Sequence, residues 1–92
     1  MEIVDLEIDP HIEDKIEIKH GVSFREVQEV CFSGRVHLRR GRLGLYKLFG
    51  RAHSGRFLFV VLADQGGDVW KVATARSMDD TERRLYLRQF GG

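Results

Sequence analysis

The chain has one cysteine, Cys31, so no internal disulfide can brace it. It has no apolar run of about 18 residues and no leader of the secretory kind, an expectation of a soluble, cytoplasmic protein with no membrane partner. Metal-ligand spacing is missing too. The four histidines, at positions 11, 20, 37 and 53, fall in different predicted elements, and Cys31 has no CxxC companion, so no metal or other cofactor is expected. No glycine-rich phosphate loop is present: Gly66-Gly67 precedes a predicted strand, whereas such a loop precedes a helix. Nothing around Ser23, Ser33, Ser54 or Ser77 forms a nucleophile elbow.

The most informative absence is of acid. Residues 30–63 contain seven Arg or Lys and no Asp or Glu, residues 1–29 contain nine acidic and three basic side chains, and the remainder has five of each. The net charge of +1 therefore conceals a basic middle. That pattern fits a polyanionic partner, unless folding interleaves the segments and cancels the dipole.

What is present reads as one α+β domain over residues 1–92, with element order β-α-α-β-β-β-β-α and a mostly antiparallel sheet packed against helices. Its organising stretch is Arg56 to Arg76. Arg56 to Ala63 and Val69 to Arg76 are rich in β-branched and aromatic residues, and Gly66-Gly67 between them signals a hairpin. The first run is apolar almost throughout, which suits a central strand covered on both faces and is left unexplained by a sheet with helices on only one face. In such a hairpin the start of one strand lies beside the end of the other, which predicts Arg56 and Arg76 at one edge of the sheet.

The remaining elements follow from local chemistry. Glu2 to Ile8 alternates as a short edge strand with an acidic outer face. Asp9-Pro10 starts a helix that runs to His20, and Gly21 ends it. Ser23 and Glu26 form a capping box for a second helix ending near Phe32-Ser33-Gly34, with Val22 placed to staple against Val27. Arg35 to Arg39 alternates as a strand, Arg40-Gly41-Arg42 turns, and Leu43 to Gly50 returns. Asp79 and Asp80 precede a last helix from Glu82 to Phe90, whose expected packing stripe is Leu85, Tyr86, Gln89 and Phe90.

Clustered cations without metal ligands suit metal-independent cleavage of RNA. That reaction asks for a proton acceptor at the 2′-hydroxyl, a donor at the leaving oxygen, and cations around the phosphorane-like transition state. His20 and Glu82 are candidates for proton exchange, Tyr86 for donation, and Arg56 and Arg76 for bidentate phosphate binding. Plainer roles compete: Lys19 and His20 as helix C-terminal cations, Glu82 as a solvated helix pair, Tyr86 and Trp70 as packing residues. Arg39, Arg40 and Arg42 form either a solvated turn or a nucleic-acid patch.

Several stretches resemble the BrnT-type ribonuclease toxins of bacterial toxin–antitoxin pairs. These are Lys19-His20-Gly21-Val22-Ser23-Phe24, Phe49-Gly50-Arg51, Gly55-Arg56 before the Phe57–Leu62 strand, the Gly66-Gly67 turn, and Ala75-Arg76 followed by Glu82-Arg83-Arg84-Leu85-Tyr86. The resemblance spans about residues 6–88. It implies a RelE-like fold, metal-independent endoribonuclease activity and a hetero-oligomer with an antitoxin carrying a ribbon-helix-helix DNA-binding part. By position it implies catalytic roles for Lys19, His20, Arg56, Arg76, Glu82 and Tyr86; Arg39, Arg40, Arg42 and Arg51 are the RNA-binding candidates. The chain departs from the family pattern in having Ile8 before Asp9, Ile12 and Ile16 on the first helix, and an acid-free segment between Phe32 and Phe49. The rival reading is a non-catalytic nucleic-acid- or antitoxin-binding module on the same fold.

Overall fold

A computed structural model describes residues 3–91 of the chain. The elements run β1 (Asp5–Glu7), α1 (Pro10–His20), α2 (Phe24–Cys31), β2 (His37–Arg40), β3 (Leu45–Arg51), β4 (Phe57–Asp64), β5 (Val69–Ser77) and α3 (Asp80–Phe90). The expected order holds. The strands form one sheet in the order β1-β5-β4-β3-β2, antiparallel except that β1 runs parallel to β5.

Local chemistry sets the helix ends. Pro10 opens α1 after Asp9, whose side chain makes no capping bond, and Gly21 closes it at φ +63°, where a side chain would be strained. Ser23 and Glu26 form the reciprocal capping box at the start of α2, and Val22 and Val27 are both fully buried. Asp79 and Glu82 form a second such box at α3, so the helix begins two residues before Glu82.

The boundaries of the basic middle differ from expectation. β2 begins at His37 rather than Arg35, and the turn falls on Arg42-Leu43-Gly44 rather than Arg40-Gly41-Arg42. Leu43, expected to open β3, is 97% exposed and has φ +58°. Hydrophobicity alone gave Leu43 to the strand, whereas the backbone closes through Leu45 N–H to the Arg42 carbonyl and Gly41 N–H to the Leu45 carbonyl. Likewise β1 is shorter than Glu2 to Ile8; Glu2 itself lies outside the described residues.

The apolar β4 run has a structural reason. Leu58, Val60 and Leu62 point to the face covered by α1 and α2, within an aliphatic cluster that includes Ile16, Val22, Val27, Val30, Leu48 and Val72. Phe57, Phe59 and Val61 point to the opposite face, where they pack with Phe49, Tyr86 and Phe90 under α3. Helices therefore lie on both faces, which removes the need for a polar side to β4. Trp70 belongs to the aliphatic cluster, with Tyr46 edge-on at 5.0 Å between ring centroids. Its role is packing. Gly50 lets α2 approach β3 closely: a Cβ there would lie 2.6 Å from Val30 Cγ1.

Candidate nucleic-acid interface

The α3 face of the sheet is read directly from strand register. His37 pairs with Phe49, Phe49 with Phe59, and Phe59 with Arg76, a single row across four strands. The neighbouring row is Arg39, Lys47, Val61 and Thr74. Because side chains alternate along a strand, all of these point to one face. α3 covers only part of that face. Between helix and sheet lies a cleft of about 640 Å³, lined by His37, Arg39, Lys47, Phe49, Phe59, Arg76, Thr81, Glu82, Leu85, Tyr86, Arg88 and Gln89. Leu85 and Gln89, expected in the packing stripe of α3, line this cleft instead; Leu85 remains 48% exposed while Tyr86 and Phe90 do the packing. The 3.6-residue period places all four on adjoining positions but does not say where the helix overhangs the sheet.

Within the cleft, Arg76 and Glu82 form a bidentate pair, with Nη1 to Oε1 at 2.7 Å and Nη2 to Oε2 at 3.0 Å. The Arg76 guanidinium also lies 4.2 Å from the centroid of the Phe59 ring. Hydrogen bonding to Arg76 pulls the Glu82 carboxyl below its usual range, and the same contact raises Arg76. Glu82 Oε1 accepts as well from the Asp79 N–H. A carboxylate so engaged is a weak proton acceptor and a strong anchor. Tyr86 is spoken for in a similar way: its hydroxyl donates to the Arg35 carbonyl at 2.8 Å, and burial raises its pKa. Arg39, Lys47 and Arg88 are different. Among the described residues none of them forms an ion pair within 4 Å.

The six residues implied as catalytic divide between the two sides of the sheet. Lys19 and His20 are exposed at the C-terminal end of α1. Arg56 turns to that side, donating to the Gly21 and His20 carbonyls and to Ser77 Oγ, with Glu26 Oε1 at 3.6 Å from its Nη1. Its guanidinium thus caps the carbonyl end of α1, where a cation is favoured. Arg56 and Arg76 do sit at the same end of the sheet, linked through Ser77, whose carbonyl accepts from Arg76. They point to opposite faces, because Arg56 shares the parity of Leu58, and Arg76 pairs with Phe59. His20 and Glu82 are likewise on opposite sides, so a direct proton exchange between them has no geometric basis here.

Of the four arginines expected to bind RNA, only Arg39 lines the cleft. Arg40 follows it with the opposite parity, opposite Tyr46, and Arg42 lies in the turn. Arg51 is on the α3 face but beyond the cleft, 4.9 Å from the Phe57 ring centroid and donating to the Gly55 carbonyl. His37 and Lys47 were not among the expected site residues. Their alternation with Leu38 and Leu48 is visible in the sequence, but which strands would pair across from them is not.

No protein-family profile and no curated protein matches the sequence. Among solved structures, the fold is similar to the crystal structure of the Brucella abortus ribonuclease toxin BrnT, with a TM-score of 0.70 at 14% sequence identity, covering 83% of this chain and 97% of that one. By fold, this chain is BrnT-like.

Proposed function

We propose that this protein is the toxin of a toxin–antitoxin pair and acts as a metal-independent endoribonuclease in the cytoplasm, with RNA entering the cleft beneath α3. The observation that carries this reading is the conjunction of a BrnT-like fold with a cleft where, among the described residues, Arg39, Lys47 and Arg88 form no ion pair within 4 Å and whose floor is Phe49 and Phe59. Cations contact phosphates without regard to sequence, and aromatic surfaces accept bases. Arg76 is the cation of the row across Phe59; its bidentate partner Glu82 sets its orientation. Arg56 holds the end of α1 in place on the far side of the sheet, where Lys19 and His20 are exposed. The partner is an antitoxin with a ribbon-helix-helix DNA-binding part, forming a hetero-oligomer with this chain.

A specific observation favours a second reading. Glu82 and Tyr86 are both committed to internal bonds, as a non-catalytic module that binds nucleic acid or antitoxin would allow.

Controlled expression in a bacterial cell separates the two. The native chain is expected to arrest growth and create new RNA 5′ ends, and an Arg76→Ala variant to fold but do neither. Intact RNA with no arrest, from soluble folded protein, would establish the binding module; cleavage by Arg76→Ala would remove Arg76 from the mechanism.

A further inference from the structure

Arg39 and Lys47 are directly opposite one another on β2 and β3, on the same face of the sheet. Like charges in that arrangement destabilise a strand pair. Here neither has an acidic side chain within 4 Å among the described residues, both line the cleft, and the Glu82 carboxylate that feels the charge of Lys47 is already engaged by Arg76. A bound anion would relieve the repulsion. The adjacent same-face residue on β2 is His37, whose ring lies 6.0 Å from Phe49 between centroids.

From this placement, and resting on the ribonuclease reading above, we infer that the Arg39–Lys47 pair seats the scissile phosphate of RNA and that His37 takes the proton from the neighbouring 2′-hydroxyl. Residues two apart on one strand face are about 7 Å apart, and diagonal neighbours across a strand pair are separated by about 7–8 Å. His37 is thereby within one ribose of a phosphate held by Lys47 and Arg39. The other cleft groups able to move a proton are engaged: Glu82 by Arg76, Tyr86 by the Arg35 carbonyl. An imidazole nitrogen is the commonest side-chain proton acceptor in general base catalysis. The charged and titratable groups that face this cleft with His37 are Arg39, Lys47 and Arg76 from the sheet and Glu82, Tyr86 and Arg88 from α3.

The step balances without a co-reactant beyond water. The 2′-hydroxyl proton passes to the unprotonated imidazole nitrogen, the 2′-oxygen bonds to phosphorus, and the bond from phosphorus to the 5′-oxygen breaks. The departing 5′-oxygen takes a proton from solvent, and the imidazolium later returns its own to solvent. The products are a 2′,3′-cyclic phosphate and a 5′-hydroxyl end. His37 and Lys47 thereby receive the roles that residue-by-residue resemblance placed on His20 and Arg56.

The test uses the full chain, a mixed-sequence RNA and its all-2′-deoxy counterpart, which binds but has no nucleophile. His37→Ala is expected to slow cleavage about 10²- to 10⁴-fold, the usual loss of a general base, with binding of the deoxy strand unchanged. Lys47→Ala is expected to weaken that binding and flatten its salt dependence by about 0.7 in the log–log slope. Imidazole added to the buffer should restore part of the cleavage to His37→Ala and none to Lys47→Ala. His53→Ala, in the β3–β4 loop, is the control and should cleave as the native chain does. If the native chain cleaves and His37→Ala cleaves equally fast, or if imidazole affects the two variants alike, the assignment fails while the ribonuclease reading stands. If the native chain leaves RNA intact, the reading itself fails and takes the assignment with it.

Discussion

The two faces of the sheet are built from different materials. The α1–α2 face is aliphatic and closed: Ile16, Val22, Val27, Val30, Leu48, Leu58, Val60 and Leu62 are all completely buried. Under α3 the buried residues are aromatic, Phe49, Phe59 and Tyr86, each still slightly exposed, and the same strands present Arg39, Lys47, Arg51 and Arg76 among them. One strand, β4, serves both faces by alternation. The difference assigns separate tasks: the closed face supplies most of the burial that holds the fold, and the partly open face can carry more cations than acids because it contributes less to stability.

The two faces differ most in what they tolerate at Leu58 and Lys47. Leu58→Ala deletes a fully buried side chain from the closed face and should cost about 2–5 kcal/mol, a large share of the ~5–15 kcal/mol available to a domain. Urea unfolding checks it. Lys47→Ala on the open face should leave the midpoint unchanged or raise it, since it removes the repulsion from Arg39. A loss from Lys47→Ala comparable to that from Leu58→Ala would show that the open face is part of the structural core.

Helix approach provides a finer probe. Among the described residues, it is on the closed face that a helix comes near enough to need a missing side chain. Gly50→Ala would drive a methyl group against Val30 Cγ1 and should destabilise by about 1–3 kcal/mol. Combining it with Val30→Ala makes the room, so the double variant should lose less than the two single losses added together. Additive losses would mean that backbone freedom at Gly50, rather than contact with α2, is what matters.

Much of this architecture was legible in the sequence, because it rests on local signals. Asp9-Pro10, the Ser23–Glu26 box, Gly21 and the Gly66-Gly67 turn each act over a few residues, and they fixed the element order. The continuous apolar run of β4 suits cover on both faces, and the helices supply it. The site was less legible because it depends on register between strands distant in sequence. His37, Phe49, Phe59 and Arg76 form one row only once three strand pairings are known. A shift of one residue would send each to the other face. The same limitation explains Arg56 and Arg76: their common sheet end could be read from the hairpin, but their opposite faces follow from parity within the observed pairing. Leu43 is the converse: its apolar side chain points to a strand, but the backbone turn closes around it.

The smallest expected effect concerns how α3 is attached to the open face. Two contacts of Glu82 converge on its first turn: the capping bond it accepts from the Asp79 N–H and the bidentate pair with Arg76. Glu82→Gln keeps a side chain able to cap, as Gln serves at that position of a capping box, but removes the charge. The folded-state pKa of Glu82 is depressed, so its contribution is complete above the unfolded carboxyl range, near pH ~4.3, and disappears as pH falls through the lower folded value. Arg76 adds no further pH dependence in this window because a guanidinium stays protonated throughout it. Both partners keep some contact with solvent, which limits the pair to about 1 kcal/mol, or roughly 4–8 °C in melting temperature for a domain of this size. Thermal melts of the native chain and Glu82→Gln should therefore differ by that amount at pH 7 and converge as the pH is lowered past 4. The titration of every other carboxylate cancels in the difference. A gap that persists at pH 3 would mean that Glu82 holds α3 through its shape and hydrogen bonds alone, and that the charge on Arg76 is free to meet a phosphate at no cost to the helix.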